Sequence, residues 1–321
     1  MQIATRKSGY IYTTAFMAIA FPVMLFMLLT TDTGWCADRF DVVIVESSAY
    51  KIYEDVIAGF ERTCNCKVKK IIPLDSGDTT LNEIYNSKPR LVFAIGSKAL
   101  QFLSGVNDLP VIYTMVHDPK PLVNDKKNFI GITMDIPYDK QLDAIASIFT
   151  SVKRLGIVYH TGNFIGPAIN HILNKAASLG ITIMEGKFHD SNDLVTAVDN
   201  MDGNIDALWL IPDVLMATPA IIEHIMLYSI KYKVPVFSFT DKHLEMGACL
   251  SIMAKPGDIG AQSGKLADLM ISGGSHPDNL INQSQYATVT INKIVASKMN
   301  LIITDNFKSN DTIKIDLSKK N

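Results

Sequence analysis

An α/β fold in two Rossmann-like lobes, each a parallel sheet covered by helices on both faces, follows from three observations. Short β-branched strands alternate with amphipathic helices from Asp41 onward, the alternation restarts after residue 134, and the remaining tail is too short for a third domain.

The first lobe opens with Asp41 to Glu46 (DVVIVE) as a strand and Tyr50 to Thr63 as a helix with Ile52, Val56, Ile57 and Phe60 along one side. Cys66 to Ile72, Leu91 to Ile95 and Pro110 to Met115 read as further strands, with helices over Thr79 to Asn86 and Ser97 to Leu103. In the second lobe, Tyr138 to Thr150 is a helix, and the strands are Arg154 to Tyr159, Ile181 to Glu185, Ala207 to Ile211 and Val234 to Phe239. Helices over Asn163 to Leu179, Asn192 to Met201 and Val214 to Lys231 separate them. Then come a strand at Ala248 to Met253, a helix at Pro256 to Ile271, a polar connection to Ser284, a strand at Tyr286 to Ile291 and a short helix ending at Lys298. The economical path takes the chain back to complete the first lobe and then returns it to the second. That gives three hinge crossings, with residues 38–134 plus 240–276 in lobe 1 and 135–239 plus 277–321 in lobe 2.

The 321 residues are 48% hydrophobic and 19% charged with a formal net charge of -2, enough for two real cores and against disorder. Lys and Arg are scattered, so no nucleic-acid partner is expected. Arg6 and Lys7 precede an uncharged apolar run from Ala15 to Leu29, followed by polar residues and a cleavage point after Ala37: a signal peptide over residues 1–37 and export to the periplasm or exterior are expected. A retained anchor is the alternative, weakened by the shortness of the run and by Pro22.

Pro110 to Thr133 is the centre of the reading. A buried strand there ends in Val116-His117-Asp118-Pro119, and polar groups at the carboxyl end of an apolar strand are where open α/β sheets hold ligands. Asp118-Pro119, Gly131-Ile132-Thr133, Lys140-Gln141-Leu142, Val152 to Tyr159, Ile211-Pro212-Asp213, Val234 to Phe237, Gly247-Ala248, and Gly257 to Gly260 with Gly264 together resemble the ABC-transporter substrate-binding protein family typified by tryptophan- and tyrosine-binding lipoproteins. The resemblance runs from about Asp41 to Leu301. It implies a periplasmic-binding-protein type I fold, a small organic ligand held between the lobes, and a permease and ATPase as partners; it implies nothing about catalysis, and no enzyme is expected. The chain departs from the family pattern at His117, where Ser or Thr is common, and at His160-Thr161-Gly162-Asn163, where Asn-Pro-Ser-Glu is common; it also lacks a lipidation box.

An amino-acid ligand needs donors for its carboxylate and an acidic acceptor for its ammonium. Ser47, Ser48 and Ser97 stand at strand-to-helix turns of lobe 1, and Thr161, Gly162 and Asn163 at such a turn of lobe 2. Asp118, Asp213 and Asp241 follow strands at the same edge, and one of them is expected to take the ammonium. His117 is a candidate wall residue, and Tyr50 and Phe164 are candidate aromatic walls, whereas Trp209 reads as core. Ser48, Asn163 and Asp213 also read as simple helix caps, and Asp118-Pro119 as a simple turn.

No cofactor or metal is called for, and a monomer is expected. Cys64, Cys66 and Cys249 remain after the leader; Cys64 and Cys66 are too close to bridge within an extended strand, and a Cys66 to Cys249 bridge within lobe 1 stays open. Ser48-Ala49-Tyr50-Lys51 matches the Ser-x-x-Lys pattern of acyl-enzymes, but no Lys-Thr-Gly, Gly-x-Ser-x-Gly, Walker or Gly-x-Gly-x-x-Gly partner accompanies it. A ligand sensor docking on a membrane receptor would share the fold and the site.

Overall fold

The computed structural model describes residues 40–71, 77–116, 119–123, 126–162, 165–213, 215–274, 281–308 and 312–316. The expected signal peptide therefore lies outside the described residues, as do His117, Asp118, Asn163 and Phe164. No helix of the described residues is long and apolar enough to cross a membrane.

Two sheets carry the fold. The first holds β1 (Val42–Glu46), β2 (Val68–Ile71), β3 (Leu91–Ile95), β4 (Val111–Thr114), β5 (Phe129–Ile132) and β11 (Ile281–Asn282), in the order β11-β5-β4-β3-β1-β2 and all parallel. The second holds β6 (Arg154–His160), β7 (Thr182–Phe188), β8 (Ala207–Leu210), β9 (Val236–Ser238), β10 (Leu250–Met253), β12 (Tyr286–Ile291) and β13 (Thr312–Asp316), in the order β13-β12-β10-β9-β8-β6-β7. Here β6 to β10 are parallel, while β12 pairs antiparallel with both β10 and β13. The expectation of purely parallel sheets thus holds for the first lobe and for the body of the second. The antiparallel margin exists because β12 enters from the hinge rather than through a crossover helix.

The helices are α1 (Lys51–Thr63), α2 (Gly77–Asn86), α3 (Ser97–Leu103), α4 (Lys120–Val123), α5 (Tyr138–Ile148), α6 (Ile165–Ser178), α7 (Ser191–Asp199), α8 (Pro219–Tyr232), α9 (Asp241–Glu245), α10 (Pro256–Ile271), α11 (Lys293–Lys298) and α12 (Asp305–Lys308). Alternate strand residues feed opposite faces, as the two-residue period demands. In the first lobe Val43, Val45 and Ala94 pack with Leu100 of α3, while Val42, Ile44 and Phe93 pack with Val56 and Phe60 of α1. In the second lobe Leu155, Ile157 and Trp209 meet α5 and α6, while Val158, Leu208 and Leu210 meet α7 and α8.

The chain passes between lobes at Thr133–Pro137, at Ala254–Lys255 and at Gln283–Gln285. Three crossings are found as expected, the first where the sequence places it and the other two elsewhere. Residues 240–253 were assigned to lobe 1, whereas β10 pairs with β9, with Leu250 opposite Phe237. Residues 277–321 were assigned to lobe 2, whereas β11 pairs with β5, with Ile281 opposite Gly131. Runs of apolar residues announce strands without saying which sheet they join; the pairing register decides it.

Cys64 and Cys66 are joined in a disulfide, with their Cα atoms 5.3 Å apart. This corrects the expectation of no bridge there, which rested on an extended strand beginning at Cys66. The strand begins only at Val68, and Cys64 caps the end of α1, so the chain turns between the two cysteines. Cys249 is free and buried against the second-lobe core, which removes the Cys66 to Cys249 pairing. Burial pushes the Cys249 thiol up to about 12.

Candidate ligand-binding site

All strands of the first sheet run the same way, so Ser47, Ser48, Gly96, Met115 and Thr133 leave it at one edge. Ser47 is committed to the scaffold: its hydroxyl donates to the Ile95 carbonyl at 3.0 Å and accepts from the Ala99 N–H at 2.9 Å, tying β1 to the start of α3. Gly96 makes this junction possible. Its φ is +92°, and a Cβ there would fall 2.5 Å from both Ser47 Oγ and Tyr53 Oη. Ser97 is exposed in the first turn of α3, and Tyr50 is 62% exposed, edge-on to Tyr53 at 5.6 Å between ring centres.

Ser48 differs from its neighbour. Its Oγ is buried and makes no hydrogen bond within the described structure, and the same holds for Thr133 Oγ1 where the chain leaves β5. Ser48 therefore has no bond to Lys51, so the Ser-x-x-Lys sequence is not assembled as a nucleophile and base. Nor does Ser48 cap α1: Tyr50 holds the cap position, and its side chain makes no capping bond. Met115, one residue beyond β4, has φ +59°, a left-handed conformation uncommon for a residue with a Cβ. It turns the chain just ahead of Val116 and the expected His117-Asp118 pair.

On the second lobe, Thr161 and Gly162 form an exposed turn after β6. Thr161 N–H donates to the Phe188 carbonyl at 3.0 Å, Thr161 Oγ1 lies 2.7 Å from His189 Nδ1, and Gly162 N–H donates to His160 Nδ1 at 3.0 Å. Asp213 follows β8 and accepts from the Leu215 N–H at 2.9 Å, the geometry of a cap on the short 3-10 turn Leu215–Ala217. Asp241 already has a cationic partner. Ser251 donates to one of its oxygens and Lys255 pairs with the other, so its charge is matched across the Ala254–Lys255 crossing.

Two features escaped the sequence reading. Glu46 closes β1 with its side chain 2% exposed and Lys70 Nζ 3.5 Å away, a buried acid one residue before Ser47; a charge ending an otherwise apolar strand was the available signal. His189 lies beyond β7, where only its distance to Thr161 reveals a role. A cavity of about 360 Å³ lies elsewhere, over β7 and α7, lined by Met184, Lys187, Asp193, Thr196 and Met201. Among the described residues no group of three His, Cys, Asp or Glu could hold a metal ion.

Known proteins share this architecture. A tyrosine-binding protein of Clostridioides difficile strain R20291 is 21% identical over 275 residues, covering 82% of this chain and 77% of its own. The ligand-free, open structure of a substrate-binding protein with adhesive properties from Clostridium difficile superposes with a TM-score of 0.65 at 20% identity, over 83% of this chain and 96% of that one. An ABC domain from Streptococcus pneumonia in complex with L-Trp gives 0.55 at 19% identity, over 84% and 97%. The family described as ABC transporter substrate binding protein matches residues 75–312. With that span, most of both lobes, the chain belongs to the ABC transporter substrate-binding protein family.

Proposed function

We propose that the protein captures a small organic ligand, an amino acid of the aromatic class, between its lobes outside the cytoplasm and delivers it to an ABC permease and its ATPase. The observation that carries this reading is the pair of hydroxyls, Ser48 Oγ and Thr133 Oγ1, left without partners at the ligand edge of the first lobe. A buried hydroxyl without a bond costs about 1–3 kcal/mol, which a ligand's carboxylate would recover. The tyrosine-binding relative and the L-Trp complex support the ligand class, and family members work outside the cytoplasm. The Cys64–Cys66 bond supports an oxidising compartment and hence export by cleavage after Ala37.

In this reading Tyr50, His117 and Phe164 wall the ligand, with Ser97, Thr161, Gly162 and Asn163 around its carboxylate. One of Asp118, Asp213 and Asp241 receives the ammonium; Asp241 also pairs with Lys255. The test is a thermal-shift panel of amino acids and sugars on the exported protein, with mass spectrometry of whatever co-purifies. A rise in Tm with L-tyrosine or L-tryptophan is expected; a rise with a sugar alone would overturn the ligand class.

A further inference from the structure

The corner where β6 and β7 end holds two imidazoles that the capture reading leaves unused. His160 has both ring nitrogens engaged with the main chain: Nε2 lies 3.0 Å from the His189 carbonyl oxygen, and Nδ1 lies 3.0 Å from the Gly162 nitrogen. A carbonyl only accepts and an amide N–H only donates, so these partners fix where the proton sits: on Nε2, with Nδ1 bare. The ring is held edge-on against Phe188, 5.6 Å between centres. His189 is under no such constraint, because the Thr161 hydroxyl at its Nδ1 can either donate or accept.

The geometry points to His160 as a positioning residue for ligand capture: a neutral imidazole that folds the Thr161–Gly162 turn into the second-lobe wall, and whose protonation releases that turn. The inference rests on the proposed reading of the cleft. A proton arriving at Nδ1 would confront the Gly162 N–H donor to donor and break the bond that closes the turn. Among the described residues the charged and titratable groups around the corner are Lys187 and Glu185 on β7, His189 after it, Asp190 and Asp193 at the start of α7, and Asp213 beyond β8, the neighbour of β6. Most are committed. Asp190 caps α7 through the Asn192 and Asp193 N–H groups, Asp193 accepts from the His189 N–H at 3.2 Å, and Glu185 accepts from Tyr159 Oη at 2.5 Å with Lys187 3.9 Å away. The Thr161 hydroxyl can donate to or accept from the His189 ring, whereas the Gly162 N–H can only donate to that of His160, so the sensitivity belongs to His160.

The test is calorimetric binding of L-tyrosine and L-tryptophan to the full exported chain between pH 5 and 8, with two variants. His160→Asn offers an amide oxygen near the place of Nδ1 and does not titrate; His160→Phe keeps the ring and removes the acceptor. Affinity of the parent should fall about tenfold toward pH 5, His160→Asn should bind with a flat profile, and His160→Phe should bind weakly at every pH. Identical flat profiles for all three would overturn the inference. Nitrogen-15 NMR of the unliganded parent supplies a readout that needs no ligand. The His160 ring should show the Nε2–H tautomer, with the Gly162 amide shifting as the ring titrates. An Nδ1–H tautomer, or a Gly162 amide indifferent to that titration, would overturn the role of His160. If neither amino acid binds while the NMR signature holds, the choice of ligand fails and the imidazole device stands.

Discussion

At Ser48 a hydroxyl is folded away from water with nothing to bond, and its loss should be felt only when ligand is present. Ser48→Ala is expected to leave the free protein equally stable, or more stable by up to about 1 kcal/mol. The same change should weaken ligand binding about five- to tenfold, a lost hydrogen bond of about 1 kcal/mol. Unfolding with and without L-tyrosine reads both effects. Met115 is a different kind of residue, one whose backbone rather than its side chain is unusual. Met115→Ile keeps the volume but places a β-branched side chain in the left-handed region, so a loss of about 1–2 kcal/mol is expected, against near-neutrality for Met115→Leu. Asp206 anchors the start of β6: its carboxylate accepts from the Lys153 and Arg154 N–H groups, both at 2.8 Å, and from the Arg154 guanidinium at 2.7 and 3.0 Å. Burial alone would raise that carboxyl, but the Arg154 side chain and the two backbone donors hold it below the ordinary range. A depressed carboxyl contributes stability above its unfolded value and loses it as pH falls through the folded one. Asp206→Asn should therefore cost about 1–2 kcal/mol at neutral pH, with the gap to the parent closing below about pH 4 in denaturant titrations.

The closest approaches between α1 and α10 are of backbone, at the glycines of α10, with the Thr63 hydroxyl donating to the Ala261 carbonyl at 2.7 Å beside them. A Cβ at Gly260 would fall 1.9 Å from the Val56 carbonyl oxygen, and one at Gly264 would fall 2.4 Å from the Phe60 oxygen. Gly260→Ala must push the helices apart and should destabilise by about 2–4 kcal/mol in a melt. Gly257→Ala, 3.5 Å from the Asp55 oxygen, should be tolerated within about 0.5 kcal/mol. The glycines of this helix were legible as part of a family pattern, but the helix they face was not, because close approach leaves no periodic trace in either segment. Strands show the same division. Leu91 to Ile95 was readable to the residue because five apolar positions stand between polar flanks. Ile281–Asn282 was invisible, since two residues have no period, yet its pairing with β5 is what moves the lobe boundary. Asp241 was read as a site residue from its place after a strand; Lys255, which neutralises it, lies fourteen positions away and is brought close only by folding of the crossing.

Across the whole molecule, the crossings are stitched together. Thr133 N–H donates to the Asn282 carbonyl at 2.9 Å, Gln262 of α10 bonds Gln283 at 3.0 Å and Gln285 at 2.9 Å, and Asp258 of α10 pairs with Lys314 of β13 at 2.5 Å. Linked in this way, the hinge favours one bending motion over independent wagging of the lobes. Saturating L-tyrosine should lower the radius of gyration in X-ray scattering while leaving far-UV circular dichroism unchanged; compaction shifts with ligand only if the ligand binds the shut form better. The two-lobed plan was legible because the strand–helix rhythm restarts, whereas His160, His189 and Glu46, which stand at or beyond strand ends of the two lobes, are single residues without rhythm.

The bare-backbone weld between α1 and α10 has a mechanical consequence. Helix α10 starts directly at the Ala254–Lys255 crossing and lies against α1 at backbone distance at Gly260 and Gly264, with Thr63 Oγ1 also donating to the Ala261 carbonyl, so it is held fast to its own lobe. Torque arriving through β10 therefore passes by way of α10 into the first sheet, which makes α10 the crank arm of the machine, with the residues ahead of Pro256 as one bearing and the Gln262 and Asp258 links as others.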